Sequence, residues 1–342
     1  MTTPYLPTPF ASPIVNPVLG TIGAPPLPYI SNSEFIFAPT ALPGRNLART
    51  PANSPQTLAD TIRRACTWAD TVVFGVDPSG KGASLSASLS VEDAYVGLKG
   101  RQLRLICDYK PIIEVVGITV GTGPGHVFSL PPTVQSTVQI WRRTIMVPFI
   151  GVIYRSSDVP VWTPNNIPPG NTIYAVWSYV NGYPHTKLLT SVVAGATTCK
   201  VMTTNGTGGL WGVYPATLTR GFPGTQLTVT DGMNTEGIFV KGIEQTGTDT
   251  VLTTSPFRHA HTVPAHPDFI SVSNVPQDVH QAAISLTSML VKLRGTIAFE
   301  MPPASTLTTP QQSIFAQSGA LEDFNIAMRN LQRYRVLAKS KI

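Results

Sequence analysis

A chain of 342 residues is long enough for two domains with cores of ordinary size. Only 12% of its residues are charged, while 28 glycines and 32 prolines punctuate it; this excludes a mainly helical protein and predicts short strands, turns and a few helices. The net charge of +6 admits an acidic partner, but 24 basic residues spread over this length make no continuous nucleic-acid footprint.

Residues 1 to 30 hold eight prolines interleaved with Tyr5, Phe10, Ile14, Val18 and Leu27. Proline at this density removes backbone donors and fixes φ, so the reading is an extended arm over residues 1–50 that lies on a neighbouring subunit. MTTPYLPTPF has neither a basic nor an apolar signal-peptide region, and no apolar run approaches the ~20 residues of a membrane span. The first helix is expected from Ser54, which can cap, and Pro55, which fits a first helical position. Leu58, Ile62, Ala65, Cys66, Ala69 and Val72 or Val73 supply its apolar stripe, with Trp68 at the edge as a packing residue.

Residues 75 to 150 read as strands: LSASLSVEDAYVGL, RQLRLICDY, PIIEVVGITVGTG and TVQIWRRTIMVPF. Gly121-Thr-Gly-Pro-Gly125 reads as a loop, because Pro124 and the missing Gly-Lys-Ser/Thr argue against a phosphate cradle. Arg101, Arg104, Arg142 and Arg143 read as solvated positions. Four prolines in residues 156 to 171 mark a boundary, after which residues 172 to 273 form a second β-rich block with a hairpin-like signal at Asp231-Gly232. Within it, His259, His261, His266 and Asp268 offer metal-like spacing, but three prolines break the stretch, so a surface turn is expected. Asp231 and Glu236 read as an exposed hairpin loop.

The most clearly marked element is Pro276 to Gly295, with proline at its start, glycine past its end, and Lys292 and Arg294 in its last turn. Val279, Ala282, Ala283, Leu286, Met289, Leu290 and Leu293 recur at helical steps and predict a buried helix. A final helix is expected over Gly319 to Ala338. Leu321, Phe324, Met328, Leu331 and Leu337 are its candidate buried positions, and Glu322 and Asp323 occupy its first turn. Arg329, Arg333, Arg335, Lys339 and Lys341 exceed what the helix dipole needs and suggest docking on an acidic surface.

The fold class expected is therefore α+β: a small helical bundle with β-strands, an inserted all-β domain and an extended N-terminal arm. Leu58, Ile62, Ala69, Val279, Ala283, Leu286, Leu290 and Leu293 are the expected core of the bundle. Cys66, Cys107 and Cys199 are odd in number and widely spaced, so reduced buried thiols are expected in a product of the cytoplasm. No GxSxG, HExxH or Cys-His arrangement occurs, and neither catalysis, a metal nor a cofactor is expected.

The order of several segments resembles the head-to-tail connector (head completion, or neck) proteins of long-tailed bacteriophages, especially the larger actinobacteriophage type. The resemblance begins at EFIFAPTAL (Glu34 to Leu42) and the pattern L-x-x-x-I-x-R-A-x-x-W-x-D over Leu58 to Asp70. It continues through Lys110 to Gly121, Tyr179-Val-Asn-Gly-Tyr-Pro184 and Asp231-Gly-Met-Asn-Thr-Glu236, and ends with Val275 to Gly295. On this reading the connector core lies at 51–165 and 275–342, while the inserted β-rich domain at 166–274 and the proline-rich residues 1–33 depart from the small members of the family. The resemblance further implies a twelve-membered homo-oligomeric ring in the virion neck, assembled in the host cytoplasm. The portal protein would lie on one side, the next neck or tail protein on the other, and DNA would pass through the channel without sequence-specific binding. No membrane is involved, and by position residues 319 to 342 would dock on the portal. The alternative is another β-rich virion protein: coat, decoration or receptor-binding.

Overall fold

The computed structural model describes residues 27–40, 42, 55–75, 84–97, 102–124, 126–130, 137–148, 172–204, 210–217, 223–246, 249–293 and 319–335. Among these the fold is mixed α+β, with four helices and thirteen strands in antiparallel sheets. Two compact units divide it: unit 1 is Ser88–Gly182, and unit 2 takes in Pro26–Ala87 and Tyr183–Ile342. Unit 1 is thus inserted into unit 2. Where the chain leaves and returns, the Tyr183 N–H donates to the Leu85 carbonyl and the Ala87 N–H to the Tyr183 carbonyl, each at 2.7 Å.

Unit 1 has two sheets. β1 (Ser88–Gly97), β3 (Ile112–Gly123), β4 (His126–Ser129) and β7 (Thr172–Asn181) pair in the order β1-β7-β3-β4. β2 (Gln102–Ile106), β5 (Gln139–Trp141) and β6 (Thr144–Pro148) pair in the order β2-β6-β5. Strict alternation along β2 buries Leu103 and Leu105 and exposes Gln102, Arg104 and Ile106. The buried set joins Ile145 and Val147 with Ile118, Val120, Ala175 and Trp177 of the larger sheet in one core.

Unit 2 combines a six-stranded sheet with the helices. The strands β8 (His185–Lys187), β9 (Thr198–Met202), β10 (Gln226–Thr230), β11 (Thr235–Thr246), β12 (Asp249–Thr254) and β13 (Ser271–Ser273) run in the order β8-β13-β10-β11-β12-β9. The helices are α1 (Asn32–Phe37), α2 (Pro55–Phe74), α3 (Gln277–Lys292) and α4 (Ala320–Gln332). Leu58, Ile62, Ala65 and Ala69 of α2 share one core with Val279, Ala283, Leu286 and Met289 of α3 and with Phe324, Ala327 and Leu331 of α4. Each fully buried leucine of this kind stabilises the fold by about 2 kcal/mol relative to an exposed one.

Several expectations change in the light of this architecture. The β block does not begin at 166 or 172, because β7 completes the sheet of β1 and β3; the inserted unit is 88–182, and the strands from β8 onward share a unit with the helices. Residues 1–50 are not extended throughout: Ser31 and Glu34 form a reciprocal capping box that starts α1. The first 26 residues of the expected arm lie outside the described residues. TVQIWRRTIMVPF is a hairpin, β5 and β6, turning at Arg142, whose φ of 56° no sequence signal announces. Gly121 and Gly123 belong to β3, with a register shift between them against β4. Pro276 caps α3 from outside, and Arg294 and Gly295 lie beyond the described residues.

Candidate functional site

The expected docking element is α4. Its apolar stripe holds it to α2 and α3; Trp68 of α2 stacks on Phe324 with ring centroids 5.4 Å apart. Polar links fix its ends: Lys292 pairs with Asp323 at 2.7 Å, the Ser288 hydroxyl donates to Asp323 at 2.8 Å, and Arg333 pairs with Asp278 at 2.6 Å. Arg333 is therefore engaged in holding the helix, while Arg329 and Arg335 are exposed along with it. Lys339 and Lys341 lie outside the described residues. Of the expected core positions, Leu58, Ile62, Ala69, Val279, Ala283, Leu286 and Leu293 are buried and Leu290 packs half-buried at the edge.

The histidine stretch is not a surface turn at His261, which is fully buried. Its Nδ1 lies 2.8 Å from Asp231 Oδ2 and its Nε2 lies 3.0 Å from Glu236 Oε1. Both ring nitrogens of His261 are thus engaged by carboxyl groups. Burial raises both carboxyls, but other groups outweigh it and hold each below its usual range. At Asp231 these are the Asn234 N–H, His261 and the Met233 N–H; at Glu236 they are the Arg258 and His259 N–H groups and His261. His259 and His266 are exposed, and among the described residues no group of three or more His, Cys, Asp or Glu is arranged to hold a metal ion. The clamp ties the β10–β11 hairpin to residues 258–261. With no hydroxyl or thiol nucleophile bonded to His261, its chemistry is that of a brace.

A second buried polar cluster surrounds residues 27–38. Tyr29 donates from its hydroxyl to Asp70, and the Leu85 N–H donates at 2.9 Å to Tyr29 Oη and to Asp70 Oδ1. Burial pushes Asp70 up to about 7 against the hydrogen bonds from Tyr29, Leu85 and Ser84. Burial also pushes the Cys66 thiol, which receives the Tyr29 N–H, up to about 12, so it is no nucleophile at neutral pH. His185 Nε2 donates to the Pro28 carbonyl at 2.8 Å; burial lowers this histidine to about 4, the Pro28 bond opposing and nearby His280 adding to the effect. Asp268 accepts the Asn32 N–H at 2.9 Å and the Ser33 hydroxyl, while Glu34 lies 3.2 Å from His280 Nδ1. Gly232, at φ +87°, fits against this segment because any Cβ there would sit 2.6 Å from the Ser33 carbonyl carbon. Of these anchors only Ser31-x-x-Glu34 had a local sequence signature. Cys66, Cys107 and Cys199 are all buried thiols.

No family model, curated protein or solved structure matches the chain.

Proposed function

We propose that the chain is a structural protein of a tailed-bacteriophage virion, a head-to-tail connector. Its copies form a twelve-membered ring in the neck, between the portal and the next neck or tail protein, and the genome passes through the channel without sequence-specific contact. In this reading the helices are the connector-like bundle, the β unit is an insertion, and the role needs neither catalysis nor a cofactor. One observation carries it: helices from opposite ends of the chain share a core, and the last of them presents Arg329 and Arg335 outward. Docking through exposed arginines suits an acidic portal surface.

Deleting residues 319–342 is a poor test, since it would strip Phe324, Ala327 and Leu331 from the core. Reversing the exposed charges, Arg329→Glu with Arg335→Glu, isolates the contact. Attachment to portal-containing heads is expected to be lost while the thermal midpoint stays within a few degrees; unimpaired attachment would sink the docking assignment.

A β-rich coat, decoration or receptor-binding protein is the second reading. It is favoured by the exposed Tyr95 and Trp141 on the sheets of unit 1. Glycan binding by the full chain, lost in Trp141→Ala, would favour it over the connector.

A further inference from the structure

Charge in unit 1 is sorted by sheet. The strands β1, β3, β4 and β7 carry Glu92, Asp93 and Glu114 and no lysine or arginine. The strands β2, β5 and β6, with the turn at residues 142–143, carry Arg104, Arg142 and Arg143 and no carboxylate. The loop after β2 adds one charge of each sign, Asp108 and Lys110, and leaves the contrast unchanged.

Both sheets turn one face to the common core, so their other faces lie on opposite sides of the unit. On the smaller sheet Arg104 and Ile106 alternate with buried Leu103 and Leu105 and so point outward. Ladder pairing sets Thr144 beside Ile106 and Trp141 beside Thr144. On the larger sheet Trp177 and Ala175 face the core, so Asp93 and Tyr95 point outward beside Val176 and Tyr174. There Tyr95 packs on Tyr174 at 5.1 Å, and the Tyr174 hydroxyl donates to Asp93 at 2.7 Å.

Each outer face therefore joins one sign of charge to exposed apolar side chains. Trp141 and Ile106 are 63% and 46% exposed on the basic side, and Tyr95 and Val116 are 58% and 46% exposed on the sheet of acidic residues. Aromatic and arginine side chains of this kind are the anchors of protein interfaces. Arg142 adds a sign of constraint: it is held at φ 56°, a conformation glycine adopts without cost, at the tip beside Trp141.

We propose that the two faces meet between copies, the arginine face of one copy docking on the carboxylate face of the next. Like faces repel and unlike faces attract, so the contact is head-to-tail rather than two-fold. Such a contact repeats and closes into a ring when the rotation between copies permits. Closure in a virion neck rests on the role proposed above, but the pairwise contact does not.

Sedimentation velocity of the full chain at low salt tests it. The wild type is expected to associate with concentration and to dissociate as salt rises. Arg104→Glu with Arg142→Glu gives a copy whose two faces are both acidic; Asp93→Lys with Glu114→Lys gives one whose faces are both basic. Each alone should associate at least about tenfold more weakly, and an equimolar mixture should recover association, because every remaining contact again joins unlike charges. Trp141→Ala, which leaves the charges in place, should weaken association without changing circular dichroism. A wild type that stays monomeric, a reversed variant that associates like the wild type, or a mixture as weak as its parts overturns the proposal. Association that survives both reversals leaves the ring standing on other surfaces, and failure of the Arg329 and Arg335 test touches α4 alone.

Discussion

The two units bury polar groups in different ways. Among the described residues unit 1 is one stretch, Ser88–Gly182, whose core is almost wholly apolar, and the Tyr179 hydroxyl donates to a part-buried Glu92. Unit 2 is assembled from segments far apart in sequence and is laced with buried acid–histidine and acid–tyrosine contacts, at His261, His280 and Asp70. A unit whose described strands come from one stretch of chain is held mainly by side-chain burial and its backbone ladders. A structure gathered from remote pieces uses directional bonds as well, because apolar contact does not fix which piece goes where.

The contrast breaks first, and furthest, at His261. His261→Ala leaves Glu236, 3% exposed, facing a vacated site and should cost about 3–5 kcal/mol in chemical denaturation; a loss below about 1 kcal/mol would show the clamp to be dispensable. In unit 1 the comparable injury is to packing. Ile145→Ala, at a fully buried position, should cost about 3 kcal/mol. If the units unfold separately, calorimetry should show one transition lowered and the other unmoved; a joint shift would erase the distinction between them.

Asp70 gives an effect that depends on pH. Because burial raises this carboxyl from 3.8 to about 7, the folded state holds the proton more tightly than the unfolded one. Its contribution is therefore fully present below pH 3.8 and is lost as pH rises to about 7, by at most about 1.4 kcal/mol per pH unit. Asp70→Asn should flatten that part of the stability profile, and an unchanged slope would assign it elsewhere. The smallest effect is expected at Arg333→Ala. Its ion pair with Asp278 is largely solvated, with the arginine side chain 63% exposed, so the melting experiment should register under about 1 kcal/mol.

Local signals explain what the sequence made legible. The stripe from Val279 to Leu293, bounded by Pro276 and Lys292, marks α3 because helical spacing is a property of the segment itself. Leu58, Ile62 and Ala69 mark α2 for the same reason. Pairing partners are another matter. Nothing near Thr172 announces that β7 will lie between β1 and β3, about eighty and sixty residues earlier, which is why the domain boundary was misplaced. The His261 clamp was hidden likewise: its carboxylates lie 30 and 25 residues upstream, and an HxH spelling among prolines looks like a surface turn. α1 is too short for periodicity to reveal, though its capping box was there to be read.

The paired backbone bonds at Leu85, Ala87 and Tyr183 have a genetic consequence. They close the host structure behind the inserted strands, so the ninety-odd intervening residues behave as a cassette. Such a cassette can be lengthened or trimmed between two adjacent points of the chain without removing either of those bonds.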